Sequence, residues 1–261
     1  MQQFNRVVSF IIKYVYAFVS CCYLFLVGFI FSKNRFLINQ ICINFGLDIK
    51  RIRPMISKSK FSEIVNTQLP VKIIKGEGTD GNTSLFELLI INLFVKTFNP
   101  NSIFGIGTFD GRTTLNLAIN SLPAAKIYTI DLPKADTIPP TLFVTPGDKK
   151  YIEKNVTGIR YHNKDEKVLP EKNKIIQLYG DTAKFNFNPY FNKINMVFVD
   201  AAHSYEYVLN DSKIALKLLE NGKGIILWHD YDVWDGVTQA LNELQQQNSK
   251  FNSCFHIEGR V

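Results

Sequence analysis

From residue 85 onward the sequence alternates short uncharged apolar runs with longer segments whose apolar residues recur every three or four positions. No other feature restricts the fold as tightly. Runs of four to six apolar residues are strand length, and helices between them force the strands to run parallel, with helices on both faces. The spacing predicts a helix over 85–98, a strand over 102–106 and a helix reaching about Asn120. A strand over 126–130 then leads into Asp131, and further strands follow over 174–179, 196–199 and 224–228, with helices over 205–219 and 233–247. The expected fold is α/β, a doubly wound, mostly parallel sheet. Ligands of such sheets sit beyond the carboxyl ends of the strands, where the strand order reverses. That rule selects Gly105 to Gly111, Asp131, Gly180 with Asp181, Asp200 with His203, and His229 with Asp230.

The first of these places holds Gly105, Gly107 and Gly111 in a G-x-G-x-x-x-G turn, which lets backbone approach a ligand closely. Asp131 lies 20 residues past Gly111, where a carboxylate can accept both hydroxyls of a ribose. Taken alone, the turn serves an ordinary strand-to-helix corner or a nicotinamide cofactor equally well.

The N-terminal part has another character. Residues 14–31 carry no charge, and the apolar stretch extends back to Val7. At about 1.5 Å per residue this reaches across a bilayer with tilt, so 7–31 is expected to be a transmembrane helix. A buried or dimerising helix is the alternative. No small-x-small cleavage site follows it. Lys33, Arg35, Lys50, Arg51, Arg53, Lys58 and Lys60 come after the stretch, against Arg6 and Lys13 before or inside it. By the positive-inside rule the chain is a single-pass membrane protein with its C-terminal domain in the cytoplasm. Residues 32–75 then read as a basic membrane-proximal connector lying along anionic lipid, with a short amphipathic piece over 36–45, and 76–261 as the folded domain.

Charge argues against a nucleic-acid partner. The chain carries 30 Lys and Arg against 23 Asp and Glu, but residues 1–60 hold nine of the former and one of the latter, which leaves the folded part near neutral. Cys21, Cys22, Cys42 and Cys254 show no C-x-x-C pairing, which suggests neither a zinc site nor a disulfide framework.

Five blocks in order, IGTFDGRTT, IYTIDLP, QLYGDTAKF, FVDAAHSYEYV and GIILWHDYDVWDGV, resemble class I S-adenosylmethionine-dependent methyltransferases over about 79–261. The likeness is to the branch whose fourth and fifth strands end in Asp-x-x-His-Ser-Tyr and Trp-His-Asp-Tyr. It implies a Rossmann-like methyltransferase fold and S-adenosylmethionine as cofactor. Gly105, Gly107, Thr108 and Gly111 would form the cofactor loop, with Gly107 and Gly111 along the methionine and ribose portion. Asp131 would hold the ribose diol and Asp181 the adenine amino group. Asp200, His203, His229 and Asp230 would face the transferred methyl and the acceptor. His203 is the expected general base, since an unperturbed imidazole titrates close to neutral pH, with Asp200 beside it. Asp200, His229 and Asp230 match the positions that hold a divalent ion, Mg or Mn, in metal-dependent O-methyltransferases.

Two departures from the family stand out. Gly105 occupies the place of a usual Glu that serves the methionine end of the cofactor, a contact worth about 1.5–3 kcal/mol unless Asp110 or Glu87 takes the role. Similar domains also close with an antiparallel hairpin, whereas this sequence stops at FHIEGRV. The expected acceptor is a small hydroxylated molecule or a glycan intermediate. The rivals are a scaffold that keeps the fold without its cofactor and a nicotinamide-dependent oxidoreductase, which the Trp-His-Asp-Tyr block and the lack of a Tyr-x-x-x-Lys pair disfavour. Ser204 and Asp232 could be plain helix caps, His203 and His229 structural histidines, and Trp228, Tyr231 and Trp234 packing residues. The long connection 132–173 is the expected site of acceptor contacts, with Arg160 and His162 as candidates.

Overall fold

The computed structural model describes residues 2–44, 52–133, 138–162 and 169–258. Lys50 and Arg51 of the basic stretch, Phe45, the NKDEK of the 132–173 connection and the final GRV lie outside the described residues. The chain divides into two compact units, Met1–Arg51 and Ile52–Val261.

In the first unit, α1 (Gln2–Leu26) is followed by a single 3-10 turn over Gly28–Ile30 and by α2 (Ser32–Asn44). The continuous helix expected over 7–31 therefore ends five residues early. At the turn the Asn34 side-chain amide donates to the Gly28 carbonyl (3.0 Å) and the Arg35 Nε–H donates to the Phe29 carbonyl (3.1 Å). Val7–Leu26, with a mean hydropathy of 1.8, is the one helix among the described residues long and apolar enough to cross a membrane.

The second unit is built on a five-stranded parallel sheet of β2 (Ser102–Ile106), β3 (Lys126–Asp131), β4 (Ile175–Tyr179), β5 (Met196–Val199) and β6 (Ile225–Trp228), in the order β4-β3-β2-β5-β6. The order reverses between β2 and β5, which makes their carboxyl ends the binding crevice. One face is covered by α3 (Leu85–Phe98) and α4 (Arg112–Asn120), where Leu93, Phe94, Ile103, Leu117, Ile127 and Met196 form a core. The other face packs Phe104, Ile106, Ile130, Val197 and Val199 against Ala215 and Leu218 of α7 (Tyr205–Leu218). Each such fully buried aliphatic or aromatic side chain contributes about 1.5–3 kcal/mol. A capping box starts α3: the Ser84 N–H donates to Glu87 Oε2 (2.8 Å) and the Glu87 N–H donates to Ser84 Oγ (3.2 Å). Inside 132–173 lie α5 (Pro146–Glu153) and the single turn α6 (Ile159–His162), and α8 (Asp235–Gln247) follows β6.

Residues 52–75, expected to be connector, belong to this folded unit. β1 (Lys58–Lys60) pairs in parallel with β7 (His256–Glu258), and Phe61, Ile64, Val65 and Val71 pack on the α3 side of the core. Polar side chains from distant elements fasten the strap. Tyr231 Oη accepts from the N–H groups of Met55 (2.9 Å) and Ile56 (3.0 Å) and lies 2.6 Å from Asn242 Oδ1. The buried Arg112 guanidinium donates to the carbonyls of Lys75, Gly76 and Thr83 at 2.7–2.8 Å. β7 is also the strand that would have begun a closing hairpin. It joins β1 instead, so among the described residues β6 has no strand on its outer edge.

Candidate active site

The glycine turn is shaped by what lies against it. Gly107 has φ +96°, and a Cβ there would fall 1.8 Å from the Asp200 carbonyl oxygen; Gly111 has φ +87° with the Tyr161 ring against it. Both conformations, and the closeness of the Asp200 backbone, require glycine. Gly105 is different: it is an interior residue of β2, and its missing side chain faces Thr129 of β3. Thr129 Oγ1 lies 2.7 Å from Thr108 Oγ1, which accepts from the Gln177 side-chain amide, and Gln177 Oε1 in turn accepts from the Tyr161 hydroxyl. A hydroxyl and amide network thus occupies the space toward which a side chain at position 105 would point.

Neither expected substitute for a glutamate at 105 reaches the loop's cavity. Asp110 accepts from Arg160 Nε (2.7 Å) and from the Arg112 N–H (2.9 Å), while Glu87 sits 3.3 Å from His229 Nε2. Arg160 and His162 do not line the cavity either, although their connection does: Pro140, Val144, Asp148, Tyr151, Val156 and Thr157 form one wall of a space of about 330 Å³. Gly107, Phe109, Asp131, Asp181, Asp200, His203, His229 and Asp230 line the rest. This is the crevice that the strand order marks.

Asp131 braces the turn. Its Oδ2 accepts from the N–H groups of Thr108 (2.9 Å) and Phe109 (2.7 Å), and Oδ1 accepts from the Leu132 N–H (2.7 Å). Burial holds its carboxyl above the usual range, against the pull of those three donors. Asp181 accepts from the Thr141 N–H (2.8 Å), the Ala183 N–H (3.0 Å) and the Tyr207 hydroxyl (2.9 Å), contacts that together outweigh its burial and lower its pKa. Of the roughly four acceptor sites of each carboxylate three are filled, which leaves Asp131 one site on Oδ1 and Asp181 one on Oδ2 for a further donor.

The reactive cluster brings together all four residues expected to face the acceptor. His203 Nδ1 lies 2.5 Å from Asp148 Oδ1, its Nε2 2.9 Å from Asp230 Oδ2, and its ring stacks on Trp234 at 4.6 Å. The His203 N–H also donates to Asp148 Oδ2 (3.1 Å), so Asp148 grips both backbone and ring. Burial alone would push this imidazole down, but Asp148 and Asp230 raise it to about 9. A base free at neutral pH was expected; the structure places the imidazole between two carboxylates, which favour its protonated form. His229 Nδ1 lies 3.1 Å from Asp230 Oδ2 and 3.4 Å from Asp200 Oδ1. Burial again pulls down, and Asp200, Asp230 and Glu87 raise the ring far above its usual value. Chiefly through its hydrogen bond to His229, Glu87 is held down at about 2.

Ser204 does cap α7, accepting from the Tyr207 N–H, whereas the cap position of α8 falls on Trp234 and has no side-chain bond. Asp148 is the site residue the sequence reading missed. The run Thr145-Pro146-Gly147-Asp148 was its one signal, a capped helix start with Thr145 Oγ1 donating to Asp148 Oδ2 (2.7 Å).

The donor set fits a divalent cation. Asp200, His203 and Asp230 offer ligand atoms within 4.8 Å of one another, and His229 Nδ1 is close to both of the same carboxylates. Both ring nitrogens of His229 are buried without an acceptor at hydrogen-bonding geometry, and a cation between Asp200 and Asp230 would take the place of the proton on Nδ1. Two carboxylates with imidazole suit Mg or Mn, and the second imidazole tilts the set toward softer metals.

Fold and site together define a Rossmann-like α/β domain with a nucleoside-sized cavity at its topological switch point. Residues 104–231 match the family model of a methyltransferase domain, a span that starts within β2 and contains Asp131, Asp181, Asp200, His203, His229 and Asp230. No curated protein matches the chain. Among solved structures, the O-methyltransferase TomG from Streptomyces achromogenes in complex with SAM is similar at 16% identity and a TM-score of 0.42, over 65% of this chain and 72% of that one. The Podospora anserina methyltransferase PaMTH1 bound to SAH gives 17% and 0.43, over 64% and 70%. The Bacillus cereus O-methyltransferase in complex with SAH gives 13% and 0.42, over 65% and 73%. At those values the likeness adds nothing to what the strand order already establishes.

Proposed function

We propose that this chain is an S-adenosylmethionine-dependent methyltransferase acting on an oxygen of a small hydroxylated or glycan-type acceptor, held to the cytoplasmic face of a membrane by α1. The observation that carries the reading is the Asp200, His203, His229 and Asp230 cluster, set on the wall of a nucleoside-sized cavity beside Gly107, Asp131 and Asp181. The family match over 104–231 supports it and tells against an oxidoreductase.

In this reading Gly107 and the Asp131-braced turn carry the ribose and methionine portion, and Asp181 takes the adenine amino group. The acceptor oxygen attacks the methyl carbon in line; the carbon–sulfur bond breaks with its electron pair going to sulfur, which becomes a neutral thioether. The acceptor's proton goes to Nε2 of the neutral form of His203, the form that gains population as pH approaches 9, and Asp148 on the opposite nitrogen balances the charge that develops there. A divalent cation held by Asp200, His229 and Asp230 would polarise the acceptor oxygen and acidify its hydroxyl. Positioning two reactants in one cavity supplies much of the remaining catalysis.

Calorimetric titration of the full chain with S-adenosylhomocysteine is the test. Micromolar binding that weakens at least tenfold in Asp131→Ala is expected. No binding by the natural protein would favour a cofactor-free scaffold, for which Gly105 speaks, and binding regained in Gly105→Glu would establish it. Loss of Mn binding in both Asp200→Ala and Asp230→Ala checks the metal assignment. Recovery of a chain lacking residues 1–31 in the high-salt membrane pellet would overturn the anchor.

A further inference from the structure

A second cavity, of about 590 Å³, lies along the open edge of β6 and is larger than the first. Its walls are apolar: Ile90 and Phe94 from α3, Phe198 from β5, Leu227 from β6, and Phe251 and Ile257 from the C-terminal segment. Among its lining residues Lys250, Ser253 and His256 are polar and belong to that C-terminal segment, whereas Glu87, His229 and Asp230 belong to the reactive cluster. His229 and Asp230 line both cavities. The His229 ring presents Nδ1 to Asp200 and Asp230 and Nε2 to Glu87, so the partition between the two spaces is one imidazole thick.

Size, lining and position bear on what such a space takes. A volume of this order is that of a small-molecule site, and the apolar side chains of α3, β5 and β6 along it suit a hydrocarbon tail better than a free sugar. An occupant that meets the reactive cluster at one end must present its reacting group there, which a neighbouring chain adding a strand to β6 would not do. The chain also carries a helix apolar enough to partition into lipid, the phase in which long-tailed molecules dissolve. We infer that the second cavity holds the apolar tail of an amphiphilic acceptor whose hydroxylated head reaches the His229 and Asp230 end of the site. The inference rests on the methyl-transfer reading for the role of the head, and on the cavity alone for the tail.

The test uses the full chain in lipid nanodiscs, the methyl to dodecyl esters of 3,4-dihydroxybenzoic acid as probes, and calorimetric S-adenosylhomocysteine binding alongside. Burying one methylene is worth about a fourfold gain in affinity, so binding should tighten by about that factor per carbon until the cavity fills, then level off. Leu227→Trp, which fills the cavity from β6, should flatten that dependence while S-adenosylhomocysteine binding stays within twofold of the natural protein. Ile225→Phe is the milder second variant should the first not fold, and should shorten the chain length at which binding levels off. A chain-length dependence equal in natural and filled proteins, or none in the natural protein, would overturn the tail site. Absence of S-adenosylhomocysteine binding with the dependence intact would instead remove the methyl-transfer reading and leave the tail site standing.

Discussion

Asp148 makes a prediction whose size and pH dependence both follow from geometry. The His203 side chain is 14% exposed and its folded-state pKa rises from 6.5 to about 9, which corresponds to about 3 kcal/mol of folding stability shared between Asp148 and Asp230. Because the folded value lies above the unfolded one, this contribution is fully present below pH 6.5 and is lost as pH rises through about 9. Asp148→Asn keeps the shape and removes the charge 2.5 Å from Nδ1. The substitution should cost about 1.5–2 kcal/mol at pH 6 and little at pH 9.5, where His203 is mostly neutral in both proteins. Urea unfolding of the two proteins at pH 6, 7.5 and 9.5, compared through midpoints at constant slope, measures this directly. An equal cost at all three values would refute the ionic account and reduce Asp148 to a packing residue.

Four further predictions concern other parts of the molecule. Asp211 is buried, its Oδ2 meets no hydrogen-bond partner among the described residues, and burial raises its pKa to about 7. The folded state therefore loses stability as pH climbs from about 4 to 7, and Asp211→Asn should gain about 1–3 kcal/mol at pH 8 and nothing at pH 4 by thermal melting. Gly107→Ala should cost more than about 3 kcal/mol, since its Cβ would fall on the Asp200 carbonyl, whereas Gly76→Ala, with nothing within 4 Å, should be silent in the same denaturation assay. Tyr231→Phe leaves the Met55 N–H with Asn242 Oδ1 (3.0 Å) alone and the Ile56 N–H without its partner, and should cost about 1–3 kcal/mol. Faster proteolytic cleavage near residue 55 would report it. The kcat/KM of the natural enzyme should rise with pH toward about 9 if His203 takes the acceptor's proton, and a flat profile from pH 6 to 9 would exclude it as the base.

The sheet could be read from the sequence because its strands are short apolar runs bounded by polar residues, and the bounds of α3, β2 and β5 match their patterns residue for residue. The residues after each strand could be read for the same reason, since a parallel sheet leaves its ligand crevice no other place. The strap over 52–75 could not. It has no periodicity of its own and is held by Arg112, Asn116, Asn120 and Tyr231, whose partners in the strap are backbone groups at least 37 residues away. Side-chain bonds to irregular backbone leave no repeat to detect. Asp148 was hidden similarly, since nothing local links it to a histidine 55 residues later. The state of His203 followed only from knowing which carboxylates surround it.

The pairing of β1 with β7 sets an order of assembly. Ser59 opposes Ile257, so in synthesis from the N-terminus the first strand of the folded unit emerges 198 residues before its mate. At about 5–20 residues per second that is a wait of roughly 10–40 s. β6, the last strand of the main sheet, ends at Trp228, so the sheet and its first cavity can form while Lys58–Lys60 is still a bare edge. The second cavity takes Phe251, Cys254 and Ile257 as walls, whereas the first is lined by nothing beyond Trp234, which makes the second the later of the two to be enclosed.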